Sequence, residues 1–145
     1  MSEKGLRIII AGGRDFSDYA LLEKESLKII KEKVKEMGLS QIPKEKITII
    51  SGTARGADSL GEKFASKFGL NLEQYPAQWQ IPGEKSGYNR KAGYERNLKM
   101  AEAASQDMEN YIPMLIAFWD GKSKGTKSMI NFAKLYDKPL RVKQI

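Results

Sequence analysis

Short β-branched apolar runs alternate with amphipathic stretches along this sequence, and several of the runs stop on glycine. That alternation is the signature of a parallel sheet with helices on both faces, since parallel strands need crossover connections and are buried on both sides. Ile8-Ile9-Ile10-Ala11 stops at Gly12-Gly13, and Ile47-Thr48-Ile49-Ile50 runs into Ser51-Gly52. Met114 to Trp119 is the clearest buried run; it meets Asp120-Gly121. Leu70 to Tyr75, ended by Pro76, and Leu140-Arg141-Val142 supply two more strands. Between them, Leu27, Ile30, Val34 and Met37 share one helical face behind a cap at Ser17 or Asp18, closed by Gly38. Ala57, Leu60, Phe64 and Phe68 mark a second helix ending at Gly69. Tyr94, Leu98 and Ala101 mark a third, and Met129, Ile130 and Ala133 a fourth. At 145 residues the chain reads as one domain, residues 1–145, with one core.

Composition removes whole classes of chemistry. The sequence has no cysteine, so disulfides, thiol nucleophiles and zinc-thiolate sites are excluded. It has no histidine either, which excludes Ser-His-Asp triads, histidine general bases and histidine-ligated metals. No metal and no cofactor is expected. Any chemistry falls to carboxylates, Arg, Lys, hydroxyls or backbone. No apolar run reaches the roughly 20 residues of a membrane helix, and Met1 to Lys4 carry no signal-type apolar core, so the chain reads as cytoplasmic. The net charge of +7 favours an anionic partner. Much of it, however, is Lys28, Lys31, Lys33 and Lys35 alternating with Glu25, Glu32 and Glu36, the pattern of a solvated helix face.

Three strand ends are each followed by glycine and then a helix: Gly12-Gly13-Arg14-Asp15, Ser51-Gly52-Thr53-Ala54-Arg55-Gly56, and Gly121-Lys122-Ser123-Lys124-Gly125-Thr126. In a parallel sheet these loops emerge on one edge, where open α/β sheets bind ligands. Glycine lets backbone N–H groups approach an anion, and the helix N-terminus adds partial positive charge. None of the three is a dinucleotide fingerprint or a P-loop, which argues against an ordinary dehydrogenase or ATPase. Arg14, Arg55 and Arg96 suit phosphate through paired guanidinium donors.

Asp15, Asp58, Glu95 and Asp120 are carboxylates at or near the same edge. Asp58 reads first as a cap of the second helix. Glu95 reads as a dipole partner in a helical first turn. Asp120 is balanced between a ribose hydroxyl and a brace for its own turn. Trp119 reads as packing, while Trp79, beside Gln78 and Gln80, is a candidate for stacking on a base. From Pro76 to Gly93 there is no periodicity, only Pro82, Gly83 and Gly87 among Lys85, Arg90 and Lys91, as in a functional loop.

Taken in order, Ile10-Ala11-Gly12-Gly13-Arg14-Asp15-Phe16, Ser51-Gly52 with Arg55-Gly56-Ala57-Asp58, Ala92-Gly93-Tyr94-Glu95-Arg96-Asn97, and Phe118-Trp119-Asp120-Gly121 through Gly125-Thr126 form a set. From Arg7 to about Ala133 the chain resembles the YspA-like, cpYpsA-related branch of the SLOG superfamily, small domains of bacteria and phages. That superfamily includes cytokinin-activating phosphoribohydrolases, the DNA-processing protein A core and sensor domains for nucleotide-type signals. The fold that pattern and resemblance lead to is α/β, a Rossmann-like three-layer sandwich with a mainly parallel five-stranded sheet. The resemblance implies a phosphate-binding turn at Gly121, Ser123, Gly125 and Thr126, facing Gly12 and Gly13. It also places Arg96 where the phosphoribohydrolases keep a catalytic arginine. Those enzymes carry a catalytic Glu three positions after their Gly-Thr, and here that position is Met129, which argues against their chemistry.

The leading expectation is a domain that binds a nucleotide or nucleotide-derived ligand (an ADP-ribose-like molecule, a cyclic nucleotide or similar) as sensor, carrier or sequestering protein. The expected binding residues are Gly12, Gly13, Arg14, Ser51, Gly52, Arg55, Trp79, Arg96, Asn97, Asp120, Gly121, Ser123, Gly125 and Thr126. The alternative is a phosphoribohydrolase or N-glycosidase-type enzyme, with Arg96, Glu95 and Asp120 as catalytic candidates. The second alternative is a DNA-binding domain, and nucleic acid ranks below a phosphorylated nucleoside as partner because no basic stripe is interleaved with aromatics. No membrane partner is expected, and a homo-oligomer is compatible with the sequence.

Overall fold

The computed structural model describes residues 4–79, 91–135 and 140–144. The elements run β1 (Gly5–Gly12), α1 (Tyr19–Glu36), β2 (Ile47–Ser51), α2 (Ala57–Phe68), β3 (Asn71–Gln74), α3 (Ala92–Ala104), β4 (Tyr111–Trp119), α4 (Lys124–Leu135) and β5 (Leu140–Gln144). The strands form a single sheet in the order β3-β2-β1-β4-β5, with every pairing parallel. The core is built on β1, β2 and β4, whose side chains are almost all buried; β3 and β5 are the edges.

Burial of both faces explains the unbroken apolar runs. On one face Ile8, Ile10, Ile49, Met114 and Ile116 pack with Leu22, Ile29, Ile30 and Val34 of α1 and Phe64 of α2. On the other, Ile9, Ile50, Leu115 and Ala117 pack with Met100, Ala101 and Ala104 of α3 and Met129, Ile130 and Ala133 of α4. The result is three layers.

Local signals set most boundaries. Asp18 caps α1, its carboxylate accepting the Leu21 N–H at 3.0 Å. Gly69 ends α2 in the left-handed conformation at φ 65°, which a side chain would resist. Two expectations need correcting. Tyr94 is 57% exposed, so the buried face of α3 is Asn97, Met100, Ala101 and Ala104 rather than the stripe begun at Tyr94. Strand β4 begins at Tyr111, three residues before Met114, and runs through Pro113. Among the described residues β5 pairs with β4 only from Leu115 onward, and proline is tolerated outside the stretch that a strand pairs on both sides. Pro82, Gly83, Lys85, Gly87 and Arg90, with Gln80, lie outside the described residues.

Strands β1 and β4 are neighbours, with Gly12 opposite Phe118. The chain therefore leaves β1 towards β2 on one side and returns as β4 on the other. The switch point lies between them, where the loops after β1 and β4 diverge and open a crevice.

Candidate functional site

A cleft of about 840 Å³ opens at this switch point. The loop after β1 forms one wall, α3 the second, and the turn into α4 the third. Its floor is apolar. Phe16 is partly exposed and stacks on the buried Phe118 with ring centroids 5.1 Å apart, and the buried Met100 and Met129 lie beneath.

Glycine makes the close approach of these loops possible. A Cβ on Gly12 would lie 2.5 Å from the Phe118 carbonyl oxygen and 2.7 Å from the Ala57 Cβ. Gly56 has φ +81°, and a Cβ there would meet the carbonyl oxygens of Gly13 and Arg14. The Gly13 carbonyl accepts the Ala57 N–H at 3.2 Å, fastening the loop after β1 to the start of α2. Gly12 thus serves packing. Gly13 faces open space, but its own N–H is directed to the Phe118 carbonyl at 3.4 Å.

Arg96 and Asp58 are the charged pair of the cleft. Helix α3 carries Arg96, whose Nη1 donates to the Gly52 carbonyl at 2.5 Å and whose Nε donates to Asn97 Oδ1 at 2.9 Å. Asn97 is itself buried, and its Nδ2 donates to the Gly125 carbonyl at 3.2 Å, tying α3 to the turn into α4. Asp58 is 6% exposed. It does not cap α2: the N-cap is Gly56, without a side-chain bond, and Asp58 Oδ2 instead accepts the Ala54 N–H at 3.2 Å. Burial pushes its carboxyl up to about 6, against the lowering pull of Arg96, the Ala54 N–H and Arg14. Burial also lowers the Arg96 pKa, with Asp58 opposing and Arg14 reinforcing that shift.

The turn into α4 is satisfied largely from within. Asp120 Oδ1 accepts the N–H groups of Lys122 and Ser123, both at 2.8 Å, which hold its carboxyl below the usual range. Ser123 Oγ accepts the Thr126 N–H at 3.4 Å and the Thr126 hydroxyl at 3.2 Å. Asp120 therefore braces its own turn. Trp119 donates from Nε1 to the Ser123 carbonyl at 3.0 Å and packs at the edge of the core.

Of the residues expected from sequence, the cleft gathers Gly12, Gly13, Arg14, Trp79, Arg96, Asn97, Asp120, Ser123, Gly125 and Thr126. Four are not among its lining. Ser51 is buried, its hydroxyl donating to Glu62 at 2.6 Å and accepting the Thr53 N–H at 3.1 Å. Gly52 and Arg55 line a second, smaller cleft of about 650 Å³ next to the first. Gly121, at φ +83°, shapes its turn and is exposed. Glu95 is also exposed and outside the lining of either cleft. The sequence reading missed the floor and Lys124. Met100 follows Arg96 by four positions and so shares its helix face, a spacing that would have placed it in the cleft. Among the described residues no cluster of acidic side chains could hold a metal ion, and no described helix is long and apolar enough to cross a membrane.

A three-layer domain with a parallel sheet and a ligand-sized cleft at the switch between its first and fourth strands is of Rossmann-like class. The model of the YspA, cpYpsA-related SLOG family matches residues 6–81, and the chain belongs to that family. Among solved structures it is similar to DNA processing protein A from Streptococcus pneumoniae, with a TM-score of 0.60 and 13% sequence identity. The match covers 96% of this chain and 50% of that one, so the chain spans about half the length of the protein it resembles. At that identity the likeness is one of fold. No curated protein matches the sequence.

Proposed function

We propose that the larger cleft binds a nucleotide or nucleotide-derived small molecule, and that the domain works as a sensor, carrier or sequestering protein for it. One observation carries this reading: the loops after β1 and β4 and the Arg96 face of α3 converge on one cleft at the switch point. The partly exposed face of Phe16, backed by the buried Phe118, suits a base or ribose, and Ser123 supplies a hydroxyl to orient it. A thermal-shift panel of nucleoside mono-, di- and triphosphates, cyclic nucleotides, NAD, ADP-ribose and DNA oligonucleotides tests it. At 100 times its dissociation constant, a ligand stabilises the fold by about 2.7 kcal/mol, a rise of roughly 5–11 °C in melting temperature. A panel in which no nucleotide moves the melting point by a degree, with silent calorimetry, refutes the reading. Stabilisation by DNA alone would replace it with the nucleic-acid one.

A second reading, cleavage of an N-glycosidic bond, is favoured by Asp58. It is a buried carboxylate in the cleft wall whose pKa of about 6 suits proton transfer or stabilisation of an oxocarbenium-like state. Met129, at the place of the acid expected in the related hydrolases, is 1% exposed and brings no charge. Release of free base from AMP, GMP or CMP near one turnover per second, lost in Asp58→Asn, would promote the enzyme over the binding domain.

A further inference from the structure

The two clefts differ in charge. The larger is lined by four carboxylates, Asp15, Asp18, Asp58 and Asp120, against Arg14, Arg96 and Lys124. The smaller is lined by Arg14, Arg55 and Arg96 and by no carboxylate among the described residues. In the larger cleft three N–H groups of the turn into α4 are already engaged. Lys122 and Ser123 donate to Asp120, and Thr126 donates to Ser123. An anion bound by the Lys122 and Ser123 N–H groups would displace the Asp120 carboxylate.

From this contrast we infer that the smaller cleft is the anion site of the protein and takes a phosphoryl or pyrophosphoryl group through Arg14, Arg55 and Arg96. The two clefts share Arg14, Ala54, Trp79 and Arg96, so one ligand spans both, its phosphoryl end in the smaller and its uncharged part on the floor of the larger. That division deepens the nucleotide reading and rests on it only for what fills the larger cleft.

Each arginine is suited to the task in its own way. Arg96 spends two of its five donors on Gly52 and Asn97, which fix the guanidinium plane before a ligand arrives. Arg55 contacts Asp15 at 3.5 Å, but the two side chains are 76% and 98% exposed, and a pair so open to water yields readily to a stronger anion. The Arg14 guanidinium carbon lies 5.8 Å from the centre of the Trp79 ring, which presents an aromatic plane at the junction of the clefts. Backbone strain lies between them. Thr53, a β-branched residue, is held at φ 62°, a conformation that costs free energy and concentrates at ligand clamps. Ser51 Oγ accepts its N–H and Asp58 Oδ2 accepts the next one, at Ala54, so the strained loop is fixed from beneath.

The test is calorimetric titration of the full chain with inorganic pyrophosphate and, separately, with AMP at fixed ionic strength. Arg55→Gln removes one charge from an exposed position and leaves the fold intact. It should weaken pyrophosphate by about tenfold or more, the scale of a charge-assisted contact. Lys31→Gln, on the exposed face of α1, removes the same charge and should change affinity by less than about threefold, and Lys124→Gln, in the larger cleft, should weaken pyrophosphate less than Arg55→Gln does. No pyrophosphate binding at millimolar concentration overturns the assignment. So does equal loss in all three variants, or a larger loss in Lys124→Gln than in Arg55→Gln. If AMP and every other nucleotide of the panel fail to bind while the pyrophosphate pattern holds, the anion site stands and the nucleotide reading falls. If AMP binds and Arg55→Gln leaves it unchanged, the nucleotide reading stands and this assignment falls.

Discussion

Arg96 and Gly52 are matched across the gap between α3 and the loop after β2. Arg96 Nη1 donates to the Gly52 carbonyl at 2.5 Å, and a Cβ on Gly52 would lie 2.7 Å from that same nitrogen and 2.8 Å from Asp58 Oδ2. The missing side chain at position 52 is what lets a guanidinium and a carboxylate approach one strand end together. Gly52→Ala should therefore move Arg96, Asp58 or both. We expect a folded protein destabilised by about 1–3 kcal/mol, the usual cost of overpacking. Its affinity for any ligand that Arg96 contacts should fall roughly tenfold. Gly13→Ala is the comparison, since nothing lies within 4 Å of a Cβ there; its stability should stay within about 0.5 kcal/mol of wild type. Urea unfolding of both variants decides it, and equal stabilities would show that the Gly52 contact is not tight.

Gly56 and Gly125 make a second contrast, one that separates backbone demand from mere sequence pattern. At Gly56 the positive φ and the Gly13 and Arg14 carbonyls leave no place for a side chain. Gly56→Ala should cost about 3 kcal/mol or more and loosen the loop after β1 from α2. Gly125 lies in the first turn of α4 with open space around it, so Gly125→Ala should leave stability unchanged or raise it by up to about 1 kcal/mol. Thermal unfolding should rank Gly125→Ala at or above wild type and Gly56→Ala well below.

Those glycines show where the sequence was legible. The parallel α/β architecture could be read because β1, β2 and β4 are buried on both faces and so are apolar without interruption. The cleft could be read because its loops follow those strands. What each loop residue does could not, because Gly12, Gly13, Gly52 and Gly56 look alike in sequence. One closes against a neighbouring strand, one faces the cleft, one admits Arg96 and one needs a left-handed backbone. Ser51 and Asp58 were misplaced for a related reason: their partners, Glu62 and Ala54, depend on how the strained Thr53 turn folds back. Phe16 and Phe118 escaped notice because a stacked pair formed between distant segments leaves no trace in local spacing.

The pH dependence of stability should carry the signature of Asp58. Its pKa is about 6 in the fold against 3.8 for the ordinary side chain, so folding favours the protonated form. The stabilisation this confers is fully present below pH 3.8 and is lost as pH rises through about 6. Above pH 7 the ionised group should cost on the order of 3 kcal/mol relative to its protonated form. Asp58→Asn keeps an acceptor for the Ala54 N–H and removes the titration. The stability difference between variant and wild type should therefore swing in favour of the variant between pH 4 and pH 7. Glu73, held low by its bond from Arg7, gives the opposite slope at lower pH in both proteins and cancels in the difference. A difference that is flat across this range would mean that Asp58 titrates normally.

Removing Arg96 should shift that titration in a definite direction. The Arg96 charge opposes the effect of burial on Asp58, so its loss leaves the carboxylate in the same desolvated place with less to stabilise its charge. In Arg96→Ala the Asp58 pKa should rise above about 6, and the swing in stability should move to higher pH. Arg96→Lys keeps the charge but cannot donate to both Gly52 and Asn97 from one fixed plane, so it should restore part of the pKa without restoring the geometry. The two variants then separate charge from positioning. Titration of the Asp58 carboxyl carbon by NMR should order the pKa as Arg96→Ala above Arg96→Lys above wild type. Binding of pyrophosphate should be weak in both variants if the guanidinium plane matters, and nearly recovered in Arg96→Lys if only charge does. An Asp58 pKa that is the same in all three proteins would show that Arg96 and Asp58 do not act on each other, and the paired site at Gly52 would have to be abandoned.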